Sequence, residues 1–100
     1  MTRVALSDEA FADLERLEEF LCQAGDPLAN GLLDFVVDAL QVLTHQPGIG
    51  RPVARGFREL IVSRRRSGYL AKYEHDEMSD RVRVLRFRHQ RESGYSADEI

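Results

Sequence analysis

Two β-rich runs joined by a short acidic connection constrain this chain more than any other feature. Tyr69 to His75 and Arg81 to His89 are dense in β-branched and aromatic residues, and Asp76 to Asp80 between them is polar. That is the pattern of an antiparallel hairpin. A third run, Phe57 to Ser63, carries Leu60, Ile61 and Val62, and Arg64-Arg65-Arg66-Ser67-Gly68 turns it into Tyr69. In the last strand Val82 and Val84 share one face whereas Leu85 and Phe87 share the other. Either both faces are partly covered or a bulge shifts the phase. Partial cover is the expectation, with helices on one side and the side bearing Arg86 and Arg88 open at one end.

Upstream, Arg3 to Leu6 reads as a short strand and Ser7 as the N-cap of a helix, with Asp8 and Glu9 in the first turn where the helix dipole favours anions. Ala10, Leu14, Leu17 and Leu21 form its apolar stripe, Phe11 and Phe20 widen it, and Asp13, Glu15, Glu18 and Glu19 face outward. Gly25 ends the helix, and Asp26-Pro27 supplies an N-cap and a first-turn proline for a second helix from Pro27 to about Thr44. Its apolar residues cover an arc of roughly 220° at 100° per residue. Packing against both the sheet and the first helix absorbs most of that arc, or else the excess marks a contact with another protein. His45 to Pro52 is an ordered return loop. Its Gly48-Ile49-Gly50-Arg51 lacks the lysine and the preceding strand of a phosphate-binding loop. The expected order is β-α-α-β-β-β: an α+β fold in which a helical hairpin packs on a mainly antiparallel four-stranded sheet, with residues 1–100 as one domain.

Composition narrows the function classes. The single Cys22 excludes an internal disulfide, and His45, His75 and His89 are dispersed, so neither a metal nor another cofactor is expected. No apolar run approaches the ~20 residues that span a bilayer, and Met1 to Val4 lead into no signal-like segment. A cytoplasmic location with no membrane association is the simplest expectation. The net charge of −3 argues against wholesale phosphate binding. Its distribution is uneven: residues 1–50 carry two arginines against nine acids, a balance of −7, and residues 51–100 carry twelve basic residues against eight acids, a balance of +4. The second half suits an acidic partner.

Leu6-Ser7 opening an acidic helix, Gly48 to Val53, Arg58-Glu59-Leu60, Gly68-Tyr69 opening a strand and Arg88-His89-Gln90-Arg91-Glu92-Ser93-Gly94-Tyr95 together resemble the RelE/ParE superfamily of toxins from bacterial type II toxin-antitoxin modules. The resemblance covers nearly the whole chain. It implies a helical hairpin on an antiparallel sheet and a cognate antitoxin protein wrapped over the toxin. It also implies one of two actions: ribosome-dependent cleavage of mRNA, or poisoning of DNA gyrase without chemistry.

These actions demand different residues. Cleavage through the 2′-hydroxyl needs a base, cations for the scissile phosphate and an acid for the leaving oxygen. The candidates are Glu59 or Glu92 as base, Arg58, Arg86 or Arg88 for phosphate, and His89 or Tyr95 as acid. Each has a structural alternative: strand arginines are commonly ion-paired, Glu92 is a natural arginine partner, and Tyr69 and Tyr73 share a face as packing residues. The RNA-cleaving branch is typically basic and rich in lysine, whereas this chain is acidic and carries only Lys72. The ParE-like branch is therefore the expectation, with DNA gyrase as target; the ribosome and its mRNA are the alternative, and a non-toxic binding module of the same fold a third reading. Leu28, Leu32, Phe35 and Val42 with Arg86, Arg88 and Arg91 are the expected contacts for an amphipathic, acidic antitoxin segment.

Overall fold

The computed structural model describes residues 1–65 and 67–91. Strand β1 (Arg3–Leu6) leads into helix α1 (Asp8–Gln23), then helix α2 (Leu32–Ala39), which tightens into a 3₁₀ turn over Leu40–Thr44. Strands β2 (Arg51–Pro52), β3 (Arg58–Arg64), β4 (Ser67–Asp76) and β5 (Arg81–His89) complete the sheet. Its order is β1-β5-β4-β3-β2; β1 runs parallel to β5 and all other neighbours are antiparallel. The α+β class and the helices packed on a mainly antiparallel sheet are as expected. The fifth strand, absent from the four-stranded expectation, is a two-residue edge piece. Its Pro52 cannot donate to a further strand and limits growth of the edge.

Local signals place the first elements. Ser7 is extended at the helix entrance, and its Oγ accepts from the Ala10 N–H at 3.1 Å, as an N-cap should. The same hydroxyl donates to the Leu85 carbonyl at 2.9 Å, and the Ser7 N–H donates to the Val84 carbonyl. One residue thus starts α1 and fastens it to β5.

The second helix departs from expectation. It begins at Leu32 rather than Pro27, because Gly31 sits in the left-handed region at φ 82° and interrupts any earlier helical run. Asp26 caps a turn instead: its carboxylate accepts from the Leu28 N–H at 2.8 Å. Leu32, Val36, Leu40 and Leu43 are buried, whereas Leu33 and Val37, one turn apart on the outer side, stay exposed. Phe11 and Phe20 do not widen the buried stripe of α1; both are exposed, Phe20 by 65%.

The core joins Ala10, Leu14 and Leu17 of α1 and the apolar face of α2 to Val62, Tyr69, Ala71, Tyr73, Val82, Val84 and Phe87 of the sheet. A bulge shifts the phase in β5, and both faces are partly covered as expected, since Leu70 and Leu85 are buried on the side away from the helices. Tyr73 faces Val84 but Lys72 faces Arg86, so Leu85 has no partner of its own. The extra residue brings Phe87 onto the same face as Val82 and Val84, where it meets the helices.

The β4–β5 turn also holds the N-terminus. Asp80 accepts from the Thr2 hydroxyl at 2.7 Å and lies 3.3 Å from His75 Nε2, while its carbonyl accepts from the Arg3 N–H. The Thr2 hydrogen bond first, then that of His75, hold the Asp80 carboxyl below its ordinary value. The clasp therefore strengthens the fold above the ordinary carboxylate range and is lost as pH falls through the lowered value. Asp80 sits in the left-handed region at φ 52°, which asparagine also tolerates, and Asp80→Asn is expected to speed hydrogen exchange of the Arg3 amide at neutral pH and to remove its acceleration in acid. Equal exchange in both proteins across that range would show that the clasp holds nothing.

Candidate functional site

Strand register assembles the polar surface. Arg51, Glu59, Lys72 and Arg86 are successive partners across β2, β3, β4 and β5, so their side chains form a row on the face opposite the core. Asp13 of α1 closes the row. Arg86 Nε donates to Asp13 Oδ2 at 2.7 Å and Nη2 to Oδ1 at 3.0 Å, a bidentate pair in which both side chains are about 95% buried. Asp13 Oδ2 also accepts from the Phe87 N–H at 2.9 Å. Where β1 ends at Leu6, Ser7 and Asp13 take over the outer edge of β5. At the other end of the row, Arg51 donates to Glu59 Oε1 through Nε at 3.2 Å and Nη2 at 2.7 Å. Lys72 Nζ lies 5.0 Å from the centre of the Phe57 ring.

Sequence-based candidates therefore separate. Arg58 donates Nη1 to the Gly50 carbonyl at 2.8 Å and holds the return loop. Glu59 is buried beside Arg51, and Arg86 is buried with Asp13 rather than lying on an open strand face. Arg88 and His89 are half-buried at the end of β5, and Arg91 is exposed beyond it. Glu92 and Tyr95 lie outside the described residues. Of the apolar contact candidates, Leu28, Phe35 and Val42 are half-buried, and Leu32 is fully buried in the core. Phe35 lies under the Arg64 guanidinium at 5.1 Å, and Arg64 in turn donates to the Leu28 carbonyl.

Beyond the charged row, β4 and β5 end beside α1. The Tyr69 and His89 rings meet edge to face, 5.4 Å apart at 88°. The Arg91 N–H donates to His89 Nδ1 at 3.1 Å, which puts the proton of the neutral ring on Nε2. Burial raises the Tyr69 hydroxyl above its ordinary pKa, against the lowering effect of Arg64. Between these rings and the C-terminal half of α1 an open cleft of about 390 Å³ remains.

Asp13 is the residue that sequence reasoning misplaced, assigning it to the outer acidic face of α1. Its position three residues after Ala10 and one before Leu14 puts it on the edge of the buried stripe. Among the described residues there is no group of three or more His, Cys, Asp or Glu that could hold a metal ion, and no helix is long and apolar enough to cross a membrane.

A family model described as the ParE toxin of the parDE type II toxin-antitoxin system matches residues 4–94. This chain belongs to the ParE toxin family. The ParE match spans β1 to the end of the cationic C-terminal run, so it includes the charged row and the cleft. Toxin RelE3 of Caulobacter vibrioides is 29% identical over 89 residues, covering 89% of this chain and 95% of that protein. The chromosomal ParDE system of P. aeruginosa contains a chain with a TM-score of 0.70 and 22% identity, over 89% of this chain and 96% of that one. A chain of the Mycobacterium tuberculosis RelBE2 toxin-antitoxin complex gives a TM-score of 0.56, again at 22% identity, over 89% and 98%. ParE and RelE proteins thus share this fold, and the chain stands within the RelE/ParE superfamily.

Proposed function

We propose that this ParE-family chain is the toxin of a two-protein module, is neutralised by a cognate antitoxin protein, and acts by binding DNA gyrase rather than by cleaving RNA. The observation that carries this reading is the commitment of the polar groups a ribonuclease would use. Arg58 holds the Gly50 carbonyl, Glu59 accepts two hydrogen bonds from Arg51, and Arg86 is locked to Asp13. A phosphate entering this face would have to draw Arg86 away from a buried carboxylate, at a cost of several kcal/mol by the usual measure of broken buried pairs. Binding makes no such demand. Support for the antitoxin comes from the ParDE and RelBE2 structures, both described as toxin-antitoxin assemblies. The apolar part of that contact centres on exposed Leu33 and Val37, with half-buried Leu28, Phe35 and Val42 beside them.

Purified protein is expected to inhibit DNA supercoiling by gyrase and to leave translated mRNA intact. Expression without antitoxin should produce filamentation with DNA-damage signalling. His89→Ala should change gyrase inhibition only as far as contact or folding is disturbed. Ribosome-dependent cleavage that His89→Ala lowers roughly 100-fold, with thermal stability retained, would assign the protein to RNA chemistry instead. Normal growth on expression without antitoxin would leave only a binding module.

A further inference from the structure

The cleft beside α1 combines an apolar floor with a charged rim. Leu17, Leu21, Ala24 and the Tyr69 ring line it, and Phe20 stands at its mouth. Phe20 is 65% exposed, an uncommon position for a ring that adjoins an unfilled apolar space. Arg16 and Arg91 border the same space against one acid, Asp26, with the His89 ring beside them, so the rim carries net positive charge. The floor and the exposed ring suit a bulky apolar side chain, and the rim suits a carboxylate next to it. The volume is near the lower end of the roughly 300–1,000 Å³ range of ligand sites, enough for a single anchoring side chain with its neighbours. A nucleotide fits less well, since the walls are mainly apolar and Asp26 would face its phosphate.

We infer that this cleft is an anchor site for the antitoxin: it takes one aromatic or branched aliphatic side chain of an acidic antitoxin segment, covered by Phe20, with an adjacent carboxylate on Arg91. The inference rests on the reading that a cognate antitoxin binds this chain, and it locates one contact of that complex. It also gives the exposed Phe20 a role that the folded toxin alone does not supply.

The test uses the full chain and the antitoxin purified from the same operon, with affinity measured by calorimetry. Phe20→Glu places charge at the mouth, and Ala24→Trp fills the space from an exposed position at the end of α1. Each should raise Kd about 10-fold or more while the melting temperature stays within about 2 °C, whereas Phe11→Glu, an exposed ring that does not line the cleft, should change Kd less than about 2-fold. Arg91→Glu should slow association most at low salt. If the wild-type chain binds the antitoxin and the Phe20 and Ala24 variants bind it equally well, the anchor is wrong and the antitoxin reading stands. Equal weakening by Phe11→Glu would also overturn the anchor, and failure of the wild-type chain to bind the antitoxin overturns both. Binding of a short oligoribonucleotide that Ala24→Trp abolishes would assign the cleft to nucleic acid instead.

Discussion

Asp13→Ala is expected to cost about 3–5 kcal/mol of folding stability, the range for removing one partner of a buried ion pair. Two losses combine at this position. The Arg86 guanidinium is left in a nearly closed environment without the carboxylate that accepts from its Nε and Nη2, and the Phe87 N–H loses its acceptor. For a domain of this size each kcal/mol moves the melting temperature by roughly 4–8 °C, so a fall on the order of 12–40 °C should be visible in a thermal scan. Asp13→Asn, which keeps an acceptor for Phe87 but lacks the charge, should fall between the two. An apolar replacement of both partners, Asp13→Leu with Arg86→Met, should recover much of the loss, because no buried charge remains to be compensated. A penalty below about 1 kcal/mol for Asp13→Ala would mean that Arg86 finds solvent easily. It would also reopen Arg86 as a phosphate ligand and weaken the case for a toxin without chemistry.

The second large effect centres on the loop that returns the chain from the helices to the sheet. The Tyr73 hydroxyl accepts from the Gly50 N–H at 2.9 Å and donates to the Pro47 carbonyl at 2.7 Å. Arg58 holds the Gly50 carbonyl from the other side. A Cβ on Gly50 would fall 2.7 Å from both Cε1 and the hydroxyl of Tyr73 and 2.8 Å from the Glu59 carbonyl. The last of these is backbone in a paired strand and cannot yield cheaply. Gly50→Ala should therefore cost about 1–3 kcal/mol in overpacking, plus whatever the displaced Tyr73 hydrogen bonds contribute. Tyr73→Phe alone should cost about 1–3 kcal/mol, since it leaves the Gly50 N–H without its acceptor. The two changes disturb one contact, so the double variant should lose less than the sum; strict additivity in denaturant unfolding would show that Tyr73 and Gly50 are not coupled.

Burial also raises the Tyr73 pKa, with the Gly50 hydrogen bond and Arg58 acting in the opposite sense, and burial raises that of Tyr69. The unfolded chain releases these protons near the ordinary tyrosine value of about 10, while the folded chain holds them to higher pH. Their contribution is thus complete below that value and is lost as pH rises through the folded pKa. Tyr73→Phe should be less stable at neutral pH yet show a shallower alkaline decline.

The elements that could be read directly are those determined by neighbours in the chain. Ser7 caps α1 because a short hydroxyl side chain can reach the N–H three residues on, and β1 and β5 take the bounds read from their runs of β-branched and apolar residues. The hairpin around Asp76 to Asp80, the α+β class and the RelE/ParE resemblance were all legible for the same reason: their signals are local or carried along the chain in order. Helix α2 was misread at its start because Gly31 is compatible with helix at a cost of only about 1 kcal/mol, and the left-handed turn that wins depends on how residues 26–31 cross from α1 to the core. The fate of the charges required the tertiary structure. Asp13 and Arg86 are 73 positions apart, and Arg51 becomes the partner of Glu59 only when β2 pairs with β3. The bulge at Leu85, the fifth strand and the cleft edged by Phe20 likewise arise where separate elements meet. A residue's type and spacing specify which face of its own helix or strand it occupies; whether that face meets solvent, a buried partner or an unfilled space depends on the elements packed against it.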